Sequence, residues 1–260
     1  MFKSRHPHGI VAVLSGIVML QGCQSQLNVH PDGNEVQEGL AYQEQALAMF
    51  RDTHGEEPHP DTANSLYNVG VAYDKLGETK KGLAYKEQAL AMYQALHGEE
   101  PHPDLAASLN NVGIAYEKLG ETKKGITYQE QALAMYKEIY GKEPHPGLAR
   151  SLNNVGAAYG KLGEAQKGLA YKEQALAMYQ EIYGEAPHSD IAKSLYSVGT
   201  VYQALGEPRK GLSYKEQALA VYKKIYGGVP HSDLAKLLSG ELLGYTKLFL
   251  MLITTLIGTY

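Results

Sequence analysis

One block of residues returns every 43 positions, and this period constrains the chain more than any other feature. His-Pro occurs at His59-Pro60, His102-Pro103 and His145-Pro146, and the step repeats as His188-Ser189 and His231-Ser232. A Tyr follows at Tyr73, Tyr116, Tyr159 and Tyr202, then Leu-Gly at Leu76-Gly77, Leu119-Gly120, Leu162-Gly163 and Leu205-Gly206. Glu-Gln-Ala-Leu starts at Glu44, Glu87, Glu130, Glu173 and Glu216. A period of about 20 to 50 residues marks a solenoid, propeller or array, in which each unit buries its apolar face against the next. A length of 260 residues would suit one or two globular domains. The repeat overrides that prior and predicts one stacked array, an architecture that usually binds other molecules rather than transforming them.

Apolar residues make up 44% of the chain and charged residues 20%, enough to bury a core. A net charge of −4, without a Lys/Arg run interleaved with aromatics, argues against a nucleic-acid surface. The 20 Tyr fall mostly at repeated positions, which predicts packing with a polar tip.

One unit, Pro60 to Gly98, reads as two helices. Pro60 suits a first turn and Asp61 places negative charge at the positive helix end. Leu66, Val69, Gly70 and Tyr73 form an apolar stripe, and Gly77 ends the helix. A second stripe, Leu83, Ala84, Ala89, Leu90, Met92 and Tyr93, runs on to Gly98. Gly70, Gly113, Gly156 and Gly199 lie inside the first helix of each unit, and Gly82, Gly125, Gly168 and Gly211 inside the second. Glycine inside a helix costs about 1 kcal/mol against Ala, so its recurrence predicts close backbone approach.

Leu66, Val69-Gly70, Tyr73, Gly82 and Ala89 resemble the tetratricopeptide repeat, and the other units match likewise. One departure is visible: the aromatic expected between Gly82 and Ala89 falls one place early, at Tyr85, with Lys86 in its usual slot. The long period and the Ser-Leu-Asn-Asn-Val-Gly and Glu-Gln-Ala-Leu runs are similar to the kinesin light chain type. The resemblance spans about residues 36 to 245. It implies an all-α, right-handed superhelix of 43-residue helix-turn-helix repeats. The array, 35–231, is predicted as a lone second-type helix followed by hairpins at 60–97, 103–140, 146–183 and 189–226. A degenerate fifth repeat starts near Ser232; Leu238 and Tyr245 keep its register while Leu242 replaces the expected Gly.

In this family the first helix of each hairpin lines a concave groove that holds a partner peptide or protein. The resemblance places there Tyr67, Asn68, Val71, Asp74 and Lys75; Asn110, Asn111, Ile114, Glu117 and Lys118; Asn153, Asn154, Ala157, Gly160 and Lys161; and Tyr196, Ser197, Thr200, Gln203 and Ala204. Asn both donates and accepts, so Asn68, Asn111 and Asn154 are expected to pair with an extended backbone; the alternative is that they tie neighbouring helices together. Lys75, Lys118 and Lys161 form a column that could meet an acidic peptide, but Asp74 and Glu117 beside it favour a solvated charged face. The fourth unit lacks both charges, so the groove ends should differ.

Lys3 and Arg5 precede an apolar run from Ile10 to Leu20, which is too short for the roughly 20 residues that span a bilayer. This is the secretory signal pattern. It ends in Leu20-Gln21-Gly22-Cys23, which resembles the bacterial lipobox. The resemblance implies a lipoprotein signal peptide at 1–22, lipid on Cys23 and, with Gln24 next, sorting to the outer membrane facing the periplasm. Loss of Lys3 and Arg5 would take the net charge from −4 to −6. Residues 23–34 read as a polar tether. With Cys23 the sole cysteine, an internal disulfide is excluded.

The apolar tail from Leu248 to Tyr260 is expected to pack on the last hairpin or to mediate self-association, since a solenoid normally ends in a polar cap. The five repeated histidines sit one hairpin apart, too far to share a zinc at about 2 Å ligand distances, so capping or stapling is expected. Neither a nucleophile–base set nor a phosphate loop nor a cofactor motif is found. The expected function is a membrane-anchored adaptor or scaffold rather than an enzyme. The alternatives are a structural factor in outer-membrane or pilus assembly and a secreted effector that engages host proteins.

Overall fold

The computed structural model describes residues 33–227. The expected signal peptide, Cys23, the expected tether up to 32, the expected degenerate repeat and the apolar tail lie outside the described residues. Among those described, the chain is a run of helices: α1 (Gly33–His54), α2 (Pro60–Lys75), α3 (Thr79–His97), α4 (Pro103–Lys118), α5 (Thr122–Tyr140), α6 (Pro146–Lys161), α7 (Ala165–Tyr183), α8 (Ser189–Ala204) and α9 (Pro208–Tyr226). The four hairpins fall on the predicted spans, each a 16-residue helix followed by one of 19.

Local chemistry sets the helix ends. The residue before α2, His59, is extended (φ −139°, ψ 137°), and its ring accepts a hydrogen bond from the Asp61 N–H. His102, His145 and His188 cap α4, α6 and α8 in the same way, which is the expected capping role. At the other end of α2, Gly77 takes φ 79°; its N–H donates to the Asp74 carbonyl and the Glu78 N–H to that of Tyr73. That is a Schellman closure, which needs a left-handed residue.

The two helices of a hairpin meet backbone to backbone. A Cβ added at Gly113 would lie 2.7 Å from the Gly125 carbonyl oxygen, and one at Gly125 would lie 2.6 Å from that of Gly113. Carbonyls cannot swing aside as a long side chain can, so glycine is required at both.

Successive hairpins are joined by apolar clusters, each shared by two neighbouring units. Leu83, Leu90 and Tyr93 of the first interlock with Leu105, Leu109, Val112 and Tyr116 of the second, and the third and fourth repeat this set. No hairpin buries its apolar face alone, so stability rises through nearest-neighbour contacts. The Glu-Gln-Ala-Leu run explains itself here: Ala89, Ala132, Ala175 and Ala218 are fully buried at the crossing, and the preceding Glu reaches the next hairpin. The hydroxyls of Tyr73, Tyr159 and Tyr202 donate to Glu44, Glu130 and Glu173 at 2.8, 2.5 and 2.5 Å, and Tyr116 donates to Glu87. The early aromatic also has a purpose: Tyr85 stacks on Tyr73 with ring centroids 5.4 Å apart, and the pairs Tyr116–Tyr128, Tyr159–Tyr171 and Tyr202–Tyr214 repeat it.

Candidate binding groove

Helices α4 and α6, the first helices of consecutive hairpins, touch directly, as the inner wall of a solenoid requires. Between α2 and α4 lies an open cleft of about 310 Å³ lined by Tyr67, Val71, Lys75, Lys86, Asn111, Ile114 and Lys118, with Asp74 on its floor. A second cleft beside it takes in Asn68, Val71 and Lys75 together with Glu35 and Gln43 of α1. Expected groove residues from two hairpins thus share a single surface.

The individual positions separate into wall and floor. Asn68, Lys75, Lys118 and Lys161 are exposed; Tyr67, Asn111, Asn153, Asn154 and Tyr196 are half-buried. Asn110 departs from the groove assignment: it is 4% exposed and packs among the helices, and its Oδ1 accepts no hydrogen bond. Among the described residues no side-chain hydrogen bond is found for Asn68, Asn111 or Asn154, so none of the three ties neighbouring helices together.

The expected charged face divides in two: the lysines stay exposed, while the carboxylates beside them are buried. The Asp74 side chain is only 7% exposed and sits between two cations, with Lys86 Nζ at 2.6 Å from Oδ2 and Lys118 Nζ, from the next hairpin, at 2.7 Å. Burial alone would raise the Asp74 pKa, but hydrogen bonds from Lys118 and Lys86 outweigh it and leave the carboxyl below its ordinary value. Glu117 repeats the arrangement at 4% exposure: Gln129 donates to one oxygen, and Lys161 Nζ lies 2.6 Å from the other. The Lys column is therefore spent in part on the hairpin behind it. Sequence reading missed the buried partners Lys86 and Gln129, although Lys86 had stood out as the residue in the aromatic slot.

The third hairpin breaks this rule. Gly160 stands where Asp74 and Glu117 stand, so Lys172, 6% exposed, has no carboxylate beside it and donates instead to Ser197 Oγ at 2.5 Å. The cation that would have crossed from the fourth hairpin is also gone, since that position is Ala204. In the fourth hairpin Lys215 donates to Gln203 at 2.6 Å.

On the loops joining the hairpins, His54, His59 and Asp61, and likewise His97, His102 and Asp104, bring ligand atoms within 4.8 Å of one another. Each set spans one helix–helix junction and uses His54 or His97, the last residue of the preceding helix, which is outside the His-Pro series. Their imidazoles stack face to face, with centroids 3.5 Å apart, and His59 Nδ1 is already engaged by the Asp61 N–H. Stacked rings aim their lone pairs side by side rather than at one point. Tyr140 and Tyr183 hold the same stack over His145 and His188, so the position selects for an aromatic ring. Among the described residues no helix is long and apolar enough to cross a membrane.

Stacked helical hairpins with a half-open polar groove define an all-α repeat solenoid. The tetratricopeptide repeat family matches residues 33–95 and 104–181, and the chain belongs to it. Its fold is the right-handed superhelix of this family. Among solved structures it is similar to BtubC (BKLC) of P. vanneervenii, at 23% identity over 76% of this chain and 77% of that one, TM-score 0.63. It is equally similar to a candidate kinesin light chain of Podosopora anserina with nearly identical TPR-like repeats, at 23% identity, 85% and 99% coverage and TM-score 0.61. The Rap conjugation gene regulator of plasmid pLS20, solved with the Phr* peptide, shares 16% identity over 74% of this chain and half of its own, TM-score 0.59. No curated protein matches the sequence significantly.

Proposed function

We propose that the chain is an adaptor or scaffold that holds an extended segment of a partner protein against the inner wall formed by α2, α4, α6 and α8. The observation that carries this reading is the unspent hydrogen-bonding capacity of Asn68, Asn111 and Asn154. An amide without a protein partner, exposed at Asn68 and half-buried at Asn111 and Asn154, keeps both a donor and an acceptor for a strand laid along the groove. Val71 and Ile114 flank Asn111 in the cleft and supply apolar contact. A Rap regulator of similar fold was solved in complex with a peptide, which supports peptide binding by a solenoid of this kind. Cys23, lipidated after signal cleavage, would tether the solenoid to the bacterial outer membrane; several acyl chains, at about 0.8 kcal/mol per buried methylene, anchor firmly. Changing Asn68, Asn111 and Asn154 to Ala should deplete partners captured by the wild-type chain, and an unchanged partner set excludes the Asn ladder. Cys23→Ser should release the protein from the membrane fraction and abolish globomycin-sensitive processing; no change in either excludes the anchor.

A further inference from the structure

Lys172 is a buried cation whose designed counter-charge is missing. In the first two hairpins the corresponding residue, Lys86 or Gln129, meets a carboxylate from the first helix of its own unit. In the third, Gly160 supplies no side chain, and a Cβ added there would meet nothing within 4 Å. The space a carboxylate would occupy is therefore open. Ala157 and Ala204 beside it on the inner wall are smaller than the Val71 and Lys118 that hold the same places in the first cleft, while Thr200 takes the place of Ile114. Lys172 gives one N–H to Ser197 Oγ, which leaves two of its three donors.

We propose that the inner wall between the third and fourth hairpins contains a carboxylate subsite, formed by Lys172, Ser197 and the gap at Gly160, that takes an Asp or Glu side chain of a bound peptide. The ligand supplies the charge that Asp74 and Glu117 supply internally in the preceding units. Burial disfavours an ammonium without a partner, and it pushes Lys172 down to about 8, with the nearby Glu117 only partly opposing it. An incoming carboxylate relieves that penalty, whereas a neutral side chain does not. Glu117 itself is occupied by Gln129 and Lys161, so it does not fill the gap. The source of the carboxylate rests on the groove reading above; the anion site itself does not.

The test uses the full chain with nitrogen-labelled lysine and asparagine side chains, followed by NMR. The probes are acetate, a capped peptide with one central Glu, and its Gln counterpart, all at matched ionic strength. Acetate and the Glu peptide should move the Lys172 resonance saturably and raise its titration midpoint by about one unit or more, while the Gln peptide leaves it in place. Gly160→Asp, which copies the first hairpin, should raise the midpoint by itself and abolish both responses. An unmoved Lys172, or an equal response in Gly160→Asp, overturns the subsite. A response to acetate but not to the Glu peptide overturns the peptide as occupant. Movement of Lys172 with Asn111 and Asn154 unmoved upholds the subsite and counts against the Asn groove; the reverse pattern does the opposite.

Discussion

Lys161 Nζ lies 2.6 Å from Glu117 Oε2, one hairpin behind it, so each of these ion pairs bridges two repeats rather than closing one. Lys118 reaches back to Asp74 in the same way, and Asp74 also holds the buried Lys86. Asp74→Ala should cost about 3–5 kcal/mol, because it strands Lys86 in the interior. Lys118→Met should cost no more than about 1 kcal/mol, since its ammonium is half-exposed. Denaturant unfolding of both variants and of the double mutant checks the ranking.

Acid should weaken the same pairs. Asp74 titrates below its ordinary value in the folded chain, so the unfolded chain binds the proton first. Its contribution is complete above the unfolded value of 3.8 and is lost as pH falls through the lower folded value. Changing Asp74 to Asn should flatten the stability profile in that acidic window when unfolding is followed against pH.

Glycines within the helices should respond oppositely to one substitution. Gly113→Ala drives a Cβ to 2.7 Å from a backbone carbonyl, and we expect a loss of at least about 2 kcal/mol as the hairpin opens. Gly160→Ala meets open space and should gain up to about 1 kcal/mol from helix propensity. Thermal melts of the two variants against wild type check the contrast; equal effects would contradict the backbone-contact account.

The tyrosine staples should fail at high pH. Tyr73 is pushed up to about 12, first by its hydrogen bond to the Glu44 carboxylate and then by burial. The folded pKa is raised above the unfolded value of 10.0, so the stabilisation is intact below 10.0 and lost as pH rises through about 12. Tyrosinate absorbance should show Tyr73→Phe removing one late-titrating group. Tyr159→Phe should cost about 1.5–3 kcal/mol, the loss of a hydrogen bond to a charged group.

The His145 cap adds a milder acid sensitivity. Burial first, and then the Arg150 cation, hold His145 below 6.5, so the folded chain favours the neutral ring that accepts from Gly147. That contribution is present above 6.5 and lost as pH falls through the folded value. His145→Ala should cost about 1 kcal/mol at neutral pH and less in acid, measured by unfolding at both.

Much of this was legible in the sequence because it is local. Pro60, Gly77 and Gly98 mark helix ends within one unit, and the Gly70–Gly82 spacing announces a close crossing. The burial of Asp74, Glu117 and Asn110 was not legible, because helical periodicity places them beside true groove residues and only the roll of each helix separates wall from floor. One signal was present: the acid disappears at Gly160 in the same repeat step that removes the lysine at Ala204. A pair lost together is a pair in contact, but that comparison runs across two units, whereas a motif is read within one.

The central claim, that the inner wall holds the partner, is tested most directly by photo-crosslinking in cells. A benzophenone side chain at position 111, in the cleft, is compared with one at position 88, on the exposed face of α3. The account predicts one discrete partner adduct from position 111 that is absent from position 88. Adducts from position 88 alone, or equal labelling from both, would contradict it.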